Sequence, residues 1–192
     1  YHSNSGELGV TLPTRFKTPF VNAFINACSA IGIPPNIDYN GRVQKGASLV
    51  QSTIKNGKRE SGATAFLKPV LNRPNLNTIT RARVNKIIFE GKKAVGVQYK
   101  KGGKIIHVNA HNEIILSAGA FQSPQLLMLS GIGEPSELKK YSIGCIHELK
   151  GVGKNLQDHL FYPICAKSKT QEGINHYIPP IKQLKAAWNY FV

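Results

Sequence analysis

Acidic residues are scarce in this sequence. Ten Asp and Glu face twenty-five Lys and Arg, leaving a formal charge of +15 over 192 residues. A nucleic acid, an anionic surface or an acidic ligand therefore enters as a candidate partner. Cysteine is scarce too. Cys28, Cys145 and Cys165 are odd in number and contain no C-x-x-C pair, so neither a disulfide framework nor a zinc knuckle is implied. No apolar run reaches the roughly 18–20 residues that span a bilayer, so the sequence offers no transmembrane helix. Internal repeats and low-complexity segments are absent. There is no initiating Met, and Tyr1 to Gly6 show neither a basic n-region nor an apolar h-region. The other end, Trp188-Asn189-Tyr190-Phe191-Val192, is apolar and helix-like without a stop signal. The chain therefore reads as an internal piece of a longer protein, with localisation signals outside it and secretion left open.

What is present is sufficient for a core. Hydrophobic residues make up 41%, which argues against wholesale disorder, and the length suits one domain or pieces of two. A helix is expected from Pro19 to Ile31. Thr18 is its N-cap, and Val21, Phe24, Ile25, Cys28 and Ile31 form its apolar face. Gly32 and Pro34-Pro35 end it, and Asp38-Tyr39-Asn40-Gly41 is the sharpest turn signal beyond. A second short helix is expected over 61–71, with Pro69 limiting its regularity. From Leu76 the pattern changes to strands. Thr78 to Thr80 and Val84 to Phe89 are rich in β-branched and aromatic residues; Ala94 to Tyr99 follows the Glu90-Gly91-Lys92 turn and Lys104 to Ala110 the Gly102-Gly103 turn, which predicts a three-stranded antiparallel meander with its lysines mostly at turns and outward positions.

Glu113 to Ala120, E-I-I-L-S-A-G-A, then reads as a short strand buried on both faces and ending in small residues. Ser123-Pro124 is an N-cap pattern, Gln125 to Leu129 a helix, and Ser130-Gly131-Ile132-Gly133 its stop. Another short helix is expected over 135–141. Small side chains at Ser117, Ala118 and Gly119 let a backbone approach a ligand closely, and free N–H groups at a helix start favour an anion. The competing explanation is a tight strand–helix turn filled with small residues for packing.

The block Gly119 to Gly133, G-A-F-Q-S-P-Q-L-L-M-L-S-G-I-G, closely resembles the second signature of the glucose–methanol–choline (GMC) family of flavin oxidoreductases. V-G-K-N-L-Q-D-H at Val152–His159, R-P-N-L at Arg73–Leu76, A-R-V-N-K-I-I-F at Ala82–Phe89 and A-V-G-V at Ala94–Val97 are similar to that family in order and spacing. The resemblance implies an α/β fold of mixed α+β character: part of a Rossmann-like FAD-binding domain with an antiparallel β-meander, plus pieces of a substrate-binding domain. It implies FAD as cofactor and the oxidation of a small-molecule alcohol by hydride transfer, with oxygen or another carrier as electron acceptor. Val84 matches the position whose backbone meets the adenine. Ser117, Ala118 and Gly119 match the strand end near the ribose and pyrophosphate. By the same analogy residues 1–58 belong to a substrate domain, 59–157 to the FAD domain, and 158–192 to the next substrate segment.

Two departures accompany the resemblance. The G-x-G-x-x-G fingerprint is missing: Gly131-Ile132-Gly133 leads to Ser136 and Gly151-Val152-Gly153 to Leu156 where the third glycine belongs. The family's catalytic histidine lies beyond Val192, so no residue here is assigned as catalytic and the piece alone is expected to be inactive. His107 and His111 are four apart, but in a strand–turn region that spacing does not put them on one helical face, and no metal site is assigned. His159 reads either as a side chain bonded to its own loop or as a contact near the flavin domain junction, and Asp158 as structural, capping or pairing with a nearby lysine. His2, His147 and His176 carry no signal. The lysines come in ones and twos, Lys92-Lys93, Lys100-Lys101 and Lys139-Lys140, without a basic stripe interleaved with aromatics. Nucleic-acid binding is therefore the lesser alternative, beside a catalytically silent binding protein on the same fold.

Overall fold

The computed structural model describes residues 2–3, 5–12, 18–165, 167–169 and 178–191, with only the backbone described at 186 and 189–191. His176 thus lies outside the described residues. The backbone divides into two compact units, Tyr1–Asn77 with Pro163–Val192, and Thr78–Tyr162. No helix among the described residues is long and apolar enough to cross a membrane.

The first unit opens with helix α1, Pro19–Ala30. Proline at the first position needs no N–H partner, and Cys28 is its buried residue. Thr18 has the extended backbone of an N-cap, but its side chain makes no capping bond; its carbonyl accepts the Val21 N–H at 3.2 Å instead. The expected turn at 38–41 is closed by Gly41 N–H donating to the Asp38 carbonyl at 3.1 Å. A two-residue hairpin follows, β1 (Ile54–Lys55) and β2 (Lys58–Arg59), turned by Asn56 and Gly57 at positive φ. The expected helix over 61–71 is instead a π-turn at Ala63–Leu67 continued by a 3-10 turn at Lys68–Val70. Pro69 supplies the reason: it has no N–H with which to continue an α-helical ladder. Glu60 is buried and accepts the Gly9 N–H, while its own N–H donates to the Thr53 carbonyl at 2.8 Å. Helix α4, Pro180–Phe191, is the unit's last element.

The second unit carries the meander: β3 (Arg83–Glu90), β4 (Lys93–Lys101) and β5 (Lys104–Asn109), in that spatial order and antiparallel. Ile87 and Tyr99 are its buried side chains, whereas Arg83, Lys86, Lys100, Lys101 and Lys104 are exposed, Lys101 and Lys104 at the turn between β4 and β5. The expected strand at Thr78–Thr80 does not form. Arg81 has φ +54°, which breaks the extended run before it can join the sheet. Asn85 is an extra residue on β3: Val84 pairs with Tyr99 and Lys86 with Gln98, so the strand bulges there.

Residues 113–117 correct the expectation of a strand buried on both faces. They belong to no strand and pair with none, and Ile115 is 79% exposed. A strand needs a neighbouring ladder, and no described strand of this chain runs beside this segment. Helix α2, Gly119–Leu129, then packs on β3. It starts six residues before the expected helix, with Pro124 inside it. Ser123 is not its N-cap. From within the helix, its hydroxyl accepts the Ala118 N–H at 3.0 Å and so satisfies a donor at the helix start.

Beyond α2, β6 (Ile132–Gly133) pairs in parallel with β7 (His147–Glu148), and α3 (Pro135–Lys140) connects them. Leu126, Ile132 and Leu138 complete the small core of this unit. Large apolar side chains also remain exposed here, Phe121 at 75% and Phe161 at 80% among them.

Candidate functional site

The N-terminal half of β3 and helix α2 form the two walls of a groove of about 720 Å³. Val84 and Asn85 line it from the strand side; Ala118, Gln122, Gln125 and Leu129 line it from the helix side. The bulge at Asn85 is the local cause of the strand wall's shape, since an extra residue re-aims the side chains around it. Small residues open the helix wall. Ala118 sits at the N-cap of α2, and Gly119 follows it with φ +89°. That backbone region is open to glycine and costly for other residues. A Cβ built on Gly119 meets no protein atom within 4 Å, so the space beside it is free.

Val84 and Ala118 are 34 residues apart in sequence and line one groove. Ser117 and Gly119, the chain neighbours of Ala118, are exposed and do not themselves line the groove. The lining is neutral amide and aliphatic apart from Arg83. It can take a flat heteroaromatic ring between apolar walls, with Asn85, Gln122 and Gln125 as hydrogen-bond donors and acceptors.

Sequence reasoning missed the three amides, because polar residues on a strand and a helix carry no signal until the two elements meet. Ser130-Gly131 reads in sequence only as a helix stop. In the fold it is a joint. The buried Ser130 hydroxyl accepts the Ile87 N–H at 2.8 Å and donates to the Leu126 carbonyl at 2.6 Å. Gly131 follows with φ +86°, and its carbonyl accepts the N–H groups of Ile146 and His147 at 2.8 and 3.2 Å.

Charged groups with shifted titration lie away from the groove. The Lys140 ammonium, hydrogen-bonded at 2.7 Å, holds the Glu137 carboxyl below the usual carboxylate range, and Glu137 in turn raises Lys140. Glu148 raises Lys150 in the same way. Such exposed pairs are screened and contribute little to stability. The Gln98 amide donates to His107 Nε2 at 3.0 Å across the β4–β5 pair. Asp158 serves its own loop, accepting the His159 N–H at 2.7 Å. No three His, Cys, Asp or Glu side chains gather as a metal-ligand set among the described residues.

Comparison with known proteins gives the family of the chain. The family model for GMC oxidoreductases matches residues 1–161. Alcohol dehydrogenase [acceptor] of Pseudomonas putida is 44% identical over 178 residues, which cover 91% of this chain and 32% of the relative. The human mitochondrial choline dehydrogenase is 46% identical over 162 residues, 83% of this chain and 27% of that protein. Among solved structures, an FAD-dependent oxidoreductase from Chaetomium thermophilum superposes with a TM-score of 0.73 at 31% identity, covering 82% of this chain and 28% of the other. The chain spans about a third of the length of the curated relatives it matches. The signature from Gly119 to Gly133 is therefore inherited rather than coincidental, and the chain belongs to the GMC oxidoreductase family.

Proposed function

We propose that this chain is part of a flavoenzyme that oxidises the CH–OH group of a small alcohol, and that the groove between β3 and α2 holds the adenosine end of FAD. The observation that carries the proposal is the convergence of Val84 and Ala118 on one groove, next to a glycine with left-handed backbone and free space. The residues suit the group. Apolar walls accept a purine face, the backbone of Val84 presents an edge, and the small residues Ser117-Ala118-Gly119 allow close approach of ribose and pyrophosphate. When bound, FAD supplies a hydride acceptor for the alcohol carbon. This chain's contribution is to bind and orient that group. Residues 59–157 provide the cofactor walls, and 1–58 with 158–192 belong to the substrate side. The names of the relatives favour an alcohol, choline among the candidates, as substrate, with oxygen or a separate carrier taking the electrons.

The test is to purify the intact protein that carries this chain, record its flavin absorbance, and assay peroxide formation and dye reduction with a panel of alcohols including choline. Bound flavin with turnover of any alcohol supports the proposal; absence of flavin overturns it. Residues 1–192 alone, given excess FAD, are expected to hold no stoichiometric flavin, because the glycine turn that cradles a pyrophosphate is not among them.

A further inference from the structure

The groove has two walls, and one buried hydroxyl joins them. Ser130 closes α2 and is 5% exposed. Its oxygen accepts from Ile87 on β3, and its proton goes to the carbonyl of Leu126 on α2. β3 is an edge strand of the meander, so the Ile87 N–H, turned away from β4, has no ladder partner. Ile87 is itself buried, and a buried donor left without an acceptor carries a full desolvation penalty. Serine resolves this with the smallest side chain able to accept one bond and donate another. Its two partners lie next to the groove: Ile87 is three residues beyond Val84, and Leu126 is one turn back along the helix wall. Gly131 then fixes the following peptide to Ile146 and His147, so the joint is held on its far side as well.

We infer that Ser130 is a positioning residue for the cofactor groove, setting the separation of the Val84 wall from the Ala118–Leu129 wall through its bonds to Ile87 and Leu126. The inference rests on the FAD reading above. Without the hydroxyl, β3 and α2 remain in apolar contact but lose the polar tie that fixes their spacing. The consequence falls on FAD affinity more than on folding.

The experiment compares the intact protein with its Ser130→Ala and Leu138→Ala variants. Leu138 is 2% exposed on α3 and outside the groove lining, so its truncation costs stability without touching the walls. FAD dissociation constants are measured by flavin fluorescence on reconstituted apoprotein, with apoprotein melting temperatures and the exchange rate of the Ile87 amide. Both variants should melt earlier. Only Ser130→Ala should weaken FAD binding, by about tenfold, and only it should expose the Ile87 amide. An FAD constant for Ser130→Ala no weaker than that for Leu138→Ala overturns the inference while leaving the FAD reading intact. If Ser130→Ala does not fold, Ser130→Cys, near in size with a weaker acceptor, makes the same comparison and should shift FAD affinity in the same direction. A wild-type protein that takes up no FAD overturns the FAD reading, and the inference with it.

Discussion

Two glycines in the second unit share a backbone conformation and differ in surroundings, which allows strain to be separated from steric exclusion. Gly119 has φ +89° and Gly131 φ +86°. Alanine at either position adopts a left-handed conformation at a cost of about 1–2 kcal/mol. At Gly119 nothing lies within 4 Å of the added methyl, so the cost to the protein ends there. At Gly131 the methyl stands 2.7 Å from the Gly144 carbonyl oxygen and 3.0 Å from Ile146 Cγ1. The first contact is roughly 0.7 Å inside ordinary separation, and its partner is backbone, which cannot rotate away. The 144–146 segment must withdraw, weakening the bonds from Ile146 and His147 to Gly131 at about 1 kcal/mol each. Gly131→Ala should therefore cost about 3–4 kcal/mol, roughly 2 more than Gly119→Ala. Unfolding of a larger protein need not be two-state, so the suitable readout is native-state hydrogen exchange at Ile146 and His147. Their amides should exchange about thirtyfold faster in Gly131→Ala and at the wild-type rate in Gly119→Ala. Equal exchange in the two variants would falsify the steric reasoning and with it the account of Ser130-Gly131 as a joint.

Gly119→Val in the intact protein should lose most bound flavin while the meander stays folded, whereas Ser117→Ala, which removes at most one hydrogen bond of about 0.5–1.5 kcal/mol, should be milder; flavin content and far-ultraviolet circular dichroism decide. Lys101 and Lys104 flank the Gly102-Gly103 turn and are exposed, so replacing both with Ser should leave turnover at saturating alcohol nearly unchanged, and a large drop would show that they do more than solvate the turn. Because Lys140 depresses the Glu137 carboxyl, the contribution of this pair is fully present above the ordinary Glu value and is lost as pH falls through the depressed one. A carboxyl-carbon NMR titration should show the Glu137 midpoint rising in Lys140→Gln and in high salt; an unmoved midpoint would contradict the pairing.

Local sequence was enough for the elements whose partners are near in the chain. The meander follows from runs such as Val84–Phe89 and Ala94–Tyr99 separated by Gly91-Lys92 and Gly102-Gly103, because hairpin strands find each other through a two-residue turn. Helix α1 was legible between Pro19 and Gly32 because its start and stop are single-residue backbone effects. The Gly119–Gly133 signature likewise announced its family. The features that depend on distant partners were not legible. Ser123 looked like a cap until α2 was seen to begin before it, with the hydroxyl reaching back to Ala118. The apolar run Ile114-Ile115-Leu116 looked like a buried strand, yet a ladder requires a neighbour that local pattern cannot supply. The bulge at Asn85 appears only in the register of β3 against β4, and the groove amides of Gln122 and Gln125 and the Ser130 tie arise where β3 meets α2, more than thirty residues further along the chain. Propensity and periodicity act over a few residues, whereas a groove wall or a buried hydrogen bond exists only once packing brings two such segments within about 3 Å of each other.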